Sequence, residues 1–326
     1  MSKEIVKNYK ELLFSNNIKT YAIADSLRDE KLRDKLIVSQ SRFENLWHSS
    51  IVDDTNEVPL YLIELKEEDN LVNYLIENHS KNLVIYFQSP HSIEKLKEFY
   101  SSFTLLDIEL EENEFKESLF GFYDPQVFSN YVKTLYCQEK VKEFFHPSIT
   151  WFVPNSKKEN ECNLHYINDN QEVKLLKLEI DEKSKSTFEN LEIINLDKSA
   201  NIDFKERRKV DHKQILIFEQ LEKERFVLLL LEEYKEDGYV FDSFDDEALK
   251  EFALKVYDEA HGIDIQINAE AGLYRYILIS IILGKSINSI ELYLELREDI
   301  TLREKVKLLD DVLNLLIERM KNEGEV

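Results

Sequence analysis

No glycine occurs before Gly121, and no proline after Pro154. This partition rules out more than any other feature of the chain. A loop that cradles phosphate needs glycines, so that backbone N–H groups can close on the anion. Upstream of Gly121 none can form, and no later stretch brings two glycines close enough. The common nucleotide-handling enzymes are therefore disfavoured. The first half alternates short apolar runs with amphipathic stretches, and the last third is nearly all helical pattern.

In the first half, Thr20 to Ala24 is predicted as a strand and Ser26 to Leu36 as a helix. Pro59 to Leu65 reads as a second strand, and Leu71, Val72, Leu75 and Ile76 share one face of a following helix. Leu83 to Gln88 is a continuous apolar run, as in strands buried on both faces. Ser92 can cap the next helix, whose inward stripe is Ile93, Leu96, Phe99, Tyr100 and Phe103. This alternation predicts a sheet with parallel members. Leu106 to Leu110 and Ser118 to Tyr123 read as further strands. Asp124-Pro125 then opens a helix: Asp is a good N-cap, and Pro lacks an N–H that would be unpaired there anyway. Ile149 to Val153 reads as another strand, closed by Pro154.

From Asn155 to about Val210 the pattern weakens, with strand-like runs at Cys162 to Ile167, Val173 to Ile180 and Leu191 to Leu196. Beyond Asp211 helices dominate. One begins at Ile215 and runs through Leu231, a second ends at Gly262 and a third at Gly284. In the last, Thr301 and Glu304 form a capping box, ahead of a narrow stripe of Leu302, Val306, Leu309, Leu313, Leu316 and Met320. The expected organisation is an α/β (α+β) N-terminal lobe with a mixed, partly parallel sheet over residues 1–154, a connecting region or sheet extension over 155–210, and an all-helical C-terminal lobe over 211–326.

Charge narrows the function. The 326 residues carry 65 acidic and 42 basic side chains, a formal net charge of −23. Nucleic acid is not an expected partner, because binding it requires a basic footprint. The best basic run, Arg207-Arg208-Lys209, sits among acids and reads as a solvated approach to a helix. The longest apolar stretch, Tyr276 to Leu283, is interrupted by Ser280 and is far short of the ~20 residues a membrane span needs. No membrane partner is expected, Met1 to Lys10 lacks a signal-peptide core, and the cytoplasm is the default compartment. Two cysteines, Cys137 and Cys162, do not make a disulfide framework.

Catalytic patterns are missing. There is no G-x-S-x-G elbow and no H-E-x-x-H. Cys162 and His165 have a C-x-x-H spacing, but no second pair follows to complete a structural zinc site. No metal or cofactor is expected. Asp25 and Asp124 each follow a predicted strand, where open α/β sheets place ligands. As a pair they would suit acid–base work; singly, each suits a helix cap. The expectation is a non-catalytic binding protein. An immunity protein that neutralises a toxin, and an Asp25/Asp124 hydrolase, are the alternatives.

The stretch Leu119 to Phe128 contains Phe122-Tyr123-Asp124-Pro125, which resembles the F-Y-D-P signature of the type VI secretion effector-chaperone family. Tyr21-Ala22-Ile23-Ala24-Asp25 resembles that family's opening Y-A-L-L-D strand, and Ser92 to Phe103 its S-x-x-x-L-(K/R) helix. Leu135, Gln138, Phe145, Pro147 and Trp151 fall in the order of its closing motif. The departures are Gly121 and Gln126, where members usually carry arginines, and His146 where a glycine often precedes the proline. The resemblance implies a cytoplasmic adaptor that grips the N-terminal region of a secreted effector and helps load it onto a VgrG or PAAR-type spike protein. It marks Tyr21, Asp25, Phe122, Tyr123, Asp124, Pro125 and Trp151 as structural or partner-binding residues.

Overall fold

The computed structural model describes residues 1–16, 18–48, 60–111, 114–135, 137, 140–141, 144–146, 148–167, 172–189, 208–239, 241, 244–261, 270–287 and 301–323. The chain divides into two compact units, Met1–Phe218 and Glu219–Val326. The first unit contains α1 (Lys3–Leu13), β1 (Thr20–Asp25), α2 (Leu32–Val38), β2 (Arg42–Asn45), β3 (Leu60–Glu64), α3 (Asn70–Glu77), β4 (Val84–Gln88), α4 (Ile93–Thr104), β5 (Leu105–Glu111), β6 (Glu114–Leu119), α5 (Pro125–Thr134), β7 (Thr150–Pro154), β8 (Glu161–Ile167), β9 (Val173–Glu179), α6 (Ser184–Glu189) and β10 (Arg208–Val210). It also holds the start of α7 (His212–Glu236).

Seven strands form the main sheet in the order β2-β3-β1-β4-β7-β8-β9, and every neighbouring pair is antiparallel. The strand–helix alternation still left its mark. Because β3 and β4 both run antiparallel to β1, they share one direction, with β1 inserted between them. By the same logic β1 and β2 run alike on either side of β3. These are two interlocked split β-α-β units, the β-α-β-β-α-β order of ferredoxin-like modules. A directly hydrogen-bonded parallel pair occurs in the small sheet, β10-β5-β6, where β10 lies parallel to β5. The fold is thus a mixed-sheet α/β unit followed by a helical one.

Strand β1 is buried along its whole length. Its side chains alternate between faces. Ala22 and Ala24 join a core built with α1, α2 and α3, including Tyr9, Leu12, Leu36, Leu75 and Tyr86. Tyr21 and Ile23 join the opposite core, under α4 and α5, where aromatic rings dominate. Phe87 stacks on Tyr21 with ring centroids 5.3 Å apart, and Trp151 packs on Phe87 at 4.8 Å and on Phe128 at 4.9 Å.

Local chemistry shifts several predicted boundaries. The helix expected from Ser26 begins only at Leu32. Asp25 and Asp29 each accept a backbone N–H two residues on, from Leu27 (2.9 Å) and Lys31 (3.1 Å). Two successive Asx turns hold this segment out of the helix. The strand predicted over Ser118 to Tyr123 stops at Leu119. Cys162 to Ile167 and Val173 to Ile180 do form strands, β8 and β9, and continue the main sheet. The strand expected over Leu191 to Leu196 lies outside the described residues.

The second unit continues α7 and adds α8 (Asp246–His261), α9 (Glu270–Ile282) and α10 (Leu302–Glu323). Val227, Leu231, Ala253, Val256, Tyr276, Ile277 and Leu309 form its core. Gly284 stops α9: its φ is +61°, and Lys285 N–H donates back to the Ser280 carbonyl at 3.2 Å. That left-handed stop suits glycine. The capping box forms, Thr301 N–H donating to the Glu304 carboxylate at 2.8 Å and Glu304 N–H to the Thr301 hydroxyl at 3.4 Å. Among the described residues no helix is long and apolar enough to cross a membrane.

Trp151 is fully buried at the centre of the aromatic core. Trp151→Ala is expected to cost about 3–5 kcal/mol, as other large-to-small core changes do. Leu315→Ala, at a side chain 67% exposed, is expected to change stability by under ~0.5 kcal/mol. Urea unfolding followed by far-UV circular dichroism compares the two.

Candidate protein-binding cleft

The motif residues, scattered in sequence, converge in space, and most of them face inward. Tyr21, Phe122 and Trp151 are fully buried in one aromatic core. Tyr21 donates its hydroxyl to the His91 carbonyl at 2.6 Å, tying β1 to the start of α4. Phe122 packs against Tyr100 (5.9 Å), Phe103 (6.1 Å) and Phe144 (5.9 Å).

Phe122 and Tyr123 do not alternate as they would on a strand. They lie in a turn, closed by Asp124 N–H donating to the Gly121 carbonyl at 2.9 Å. Both rings therefore meet the same core, Phe122 inside it and Tyr123 packed against it, edge-on to Trp47 at 5.9 Å. Burial, with Asp25 and Asp124 nearby, pushes the Tyr123 phenol up to about 12.

Asp124 caps α5. Its Oδ1 accepts from Gln126 N–H (2.7 Å) and Val127 N–H (3.2 Å), with Pro125 buried at the first helical position. Its Oδ2 accepts from the Arg28 guanidinium at 2.9 Å, and Arg28 Nε lies 3.9 Å from Asp25 Oδ2. The two carboxylates are thus brought together, with an arginine between them. Each also satisfies backbone N–H groups of its own segment. The cluster latches the end of β1 to the start of α5. The sequence reading weighed both acids and missed Arg28, whose signal was its place three residues after Asp25.

The open surface lies beside this latch. Leu119, Phe120 and Gly121 line a cleft of about 310 Å³ with Leu106, Ile108, Val127, Tyr131, Val210, Ile215 and Phe218. Ser118, Tyr131, Thr134 and Gln214 add the polar groups of the lining. Small-molecule and peptide pockets share this character, a mostly apolar wall with few polar groups. Leu119 at its edge is 58% exposed. Gly121 departs from the resembled pattern at this rim. A side chain there would meet nothing closer than the Tyr123 ring at 3.9 Å, so packing does not demand glycine. Its effect is to leave the rim without a charge. The cleft was not legible as a unit, because four separate segments build it.

The basic run behaves differently from a solvated approach to a helix. Arg208 and Lys209 lie on β10, and Arg208 is buried over the rings of Phe99 (5.0 Å) and Phe103 (4.6 Å), donating to Ser102 Oγ at 3.2 Å. Cation–π contact and the hydrogen bond compensate the guanidinium for lost water. Arg207 lies outside the described residues. Cys162 and His165 stand three apart on a strand, which sends them to opposite faces. Cys162 joins the α1-side core, whereas His165 packs beside Phe128 at 5.3 Å. Among the described residues, no three His, Cys, Asp or Glu side chains are grouped to hold a metal ion.

Residues 20–140 match a family model described as a domain of unknown function, DUF4123. The match runs from β1 through α5 and so takes in the latch and much of the cleft wall. No curated protein and no solved structure matches the chain.

Two stability effects follow from the latch. Asp124→Ala is expected to cost about 1–2 kcal/mol, as for other lost caps, and Asp124→Asn less, since Asn also caps. Asp25 titrates above its ordinary 3.8, chiefly because burial disfavours the charge and despite the Leu27 N–H and Arg28. A raised carboxyl pKa means the folded state holds the proton more tightly, so this group's contribution falls as pH rises from 3.8 through its folded value. Wild type is therefore expected to lose stability relative to Asp25→Asn over that rise. Paired denaturation curves across the acid range measure the difference.

Proposed function

We propose that the protein is a non-catalytic cytoplasmic adaptor. In this reading it holds the N-terminal region of a type VI secretion effector and helps bring it to a VgrG or PAAR-type spike protein. The cleft beside the F-Y-D-P turn carries the proposal. It is apolar and open, and it is set by a buried, cross-braced motif. A wall of this kind suits an apolar segment of a protein client.

Three further observations support the reading. The family matched over residues 20–140 is one known in type VI secretion effector loading. The two motif carboxylates are engaged by Arg28 and by backbone N–H groups, which is the bonding of a structural brace. The neighbouring edge strand β6 is charged, with Glu114, Lys116 and Glu117. Charged edges discourage strand addition, which leaves the apolar cleft as the better grip.

Co-expression with a type VI secretion effector tests the proposal. A stable complex is expected through the effector's non-toxic N-terminal part, and Leu119→Glu is expected to weaken it about tenfold or more, by placing a desolvated charge at the rim. A complex that requires the toxin domain, or rescue of cells from that isolated domain by this protein alone, would replace the adaptor reading with that of an immunity protein.

A further inference from the structure

A second concave surface lies on the same unit, beyond α5. Helices α4 and α5 cover the aromatic face of the main sheet over β4 and β7. Past α5 that face continues onto β8, where His165 and Ile167 are buried, and onto the edge strand β9. Leu175, on the edge strand β9, is 56% exposed there. Val132 and Leu135 supply the facing wall, and the groove measures about 710 Å³.

Two features distinguish this groove from the first cleft. Its rim carries Lys133 and Lys177, both exposed, while its acid, Glu172, is already paired with Lys174 at 2.7 Å. Within this lining the two lysines outnumber the free acids, on a chain whose net charge is −23. In addition, His165 lines the groove, is 3% exposed, and has no hydrogen-bond partner for either ring nitrogen among the described residues. Buried polar atoms without partners are uncommon in finished cores.

We propose that the groove between α5 and β8–β9 docks an amphipathic helix of a protein partner, with carboxylates flanking its apolar stripe. A helix is the occupant because helices already form this layer, and one ~10–12 Å wide beside α5 continues it. The apolar stripe covers Leu175, Val132 and Leu135. The flanking carboxylates meet Lys133 and Lys177, which offset the repulsion that a strongly acidic chain exerts on an acidic partner. The inference does not depend on what fills the first cleft.

The groove contains its own reporter. Cys137 lines it and is partly exposed, whereas Cys162 is fully buried. Maleimide labelling of Cys137 in the full chain can therefore be timed with two synthetic helical peptides. The two share one leucine stripe, flanked by glutamates in one and by lysines in the other. The glutamate-flanked peptide is expected to slow labelling about tenfold, since thiol reactivity follows exposure, and the lysine-flanked peptide to leave it unchanged. Leu175→Glu should abolish the protection, and Lys133→Glu with Lys177→Glu should transfer it to the lysine-flanked peptide. Equal protection by both peptides, or by neither, overturns the proposal. So does a thiol that is unreactive in the free monomer, which would mean that the chain covers its own groove. Protection that appears with protein concentration alone would assign the groove to a second copy. Effector capture that leaves Cys137 reactive would leave the adaptor reading standing and remove only this site.

Discussion

Burial of β1 on both faces is the constraint on which the first unit depends. A strand with water on one side can be stabilised by one layer of helices. Strand β1 needs two, and the chain supplies them from opposite directions. Helices α1 to α3 close over Ala22 and Ala24, and α4 and α5 close over Tyr21 and Ile23. The turn at Phe122 to Asp124 then has to be seated accurately, because it delivers α5 to that second layer. Its ring enters the core, and its carboxylate reaches Arg28 across 96 residues of sequence. The cleft at Leu119 to Gly121 is a product of that seating.

Much of this was legible wherever one residue type had one physical job. The Asp124-Pro125 cap, the Thr301/Glu304 box and the stop at Gly284 all form, because each depends only on neighbours within a few residues. Continuous apolar runs correctly marked strands buried on both faces. Failures came where a side chain competed with its own backbone, or where the deciding partner was remote. Asp25 and Asp29 draw nearby N–H groups into turns and delay α2. The Gly121–Asp124 turn replaces the end of a predicted strand. Arg208 reads as a surface charge until Phe99 and Phe103 are placed beneath it. Periodicity also foresaw strands of common direction, but not that β1 would insert between β3 and β4. Insertion of that kind depends on the order in which strands pair, about which local pattern says nothing.

The distribution of charge gives the two concave surfaces different characters. Net charge governs solubility and the approach of partners; the groups at a rim decide what can stay. The first cleft is bordered by uncharged residues, Leu119 and Gly121 among them, and suits a segment chosen for its apolar surface. The second carries two lysines on a chain of net negative charge and suits a segment chosen for charge as well. An adaptor, which must hold one protein while presenting it to another, has use for surfaces that do not compete for the same ligand.

The position of Trp151 bears on how this domain can be inherited. The matched segment ends at residue 140, before β7, yet the ring that fills the centre of its aromatic core comes from β7. Strand β4 also takes β7 as its outer neighbour, and α1, which lies before the match begins, covers the other face. A fragment cut at the limits of that match would keep the signature and lose its folding partners, baring the edge of β4 and uncovering Phe87 and, on α5, Phe128. The stretch that the family model matches is therefore smaller than the stretch that folds. Recombination that moved only the former would leave the aromatic core open, so the flanking elements have to travel with it.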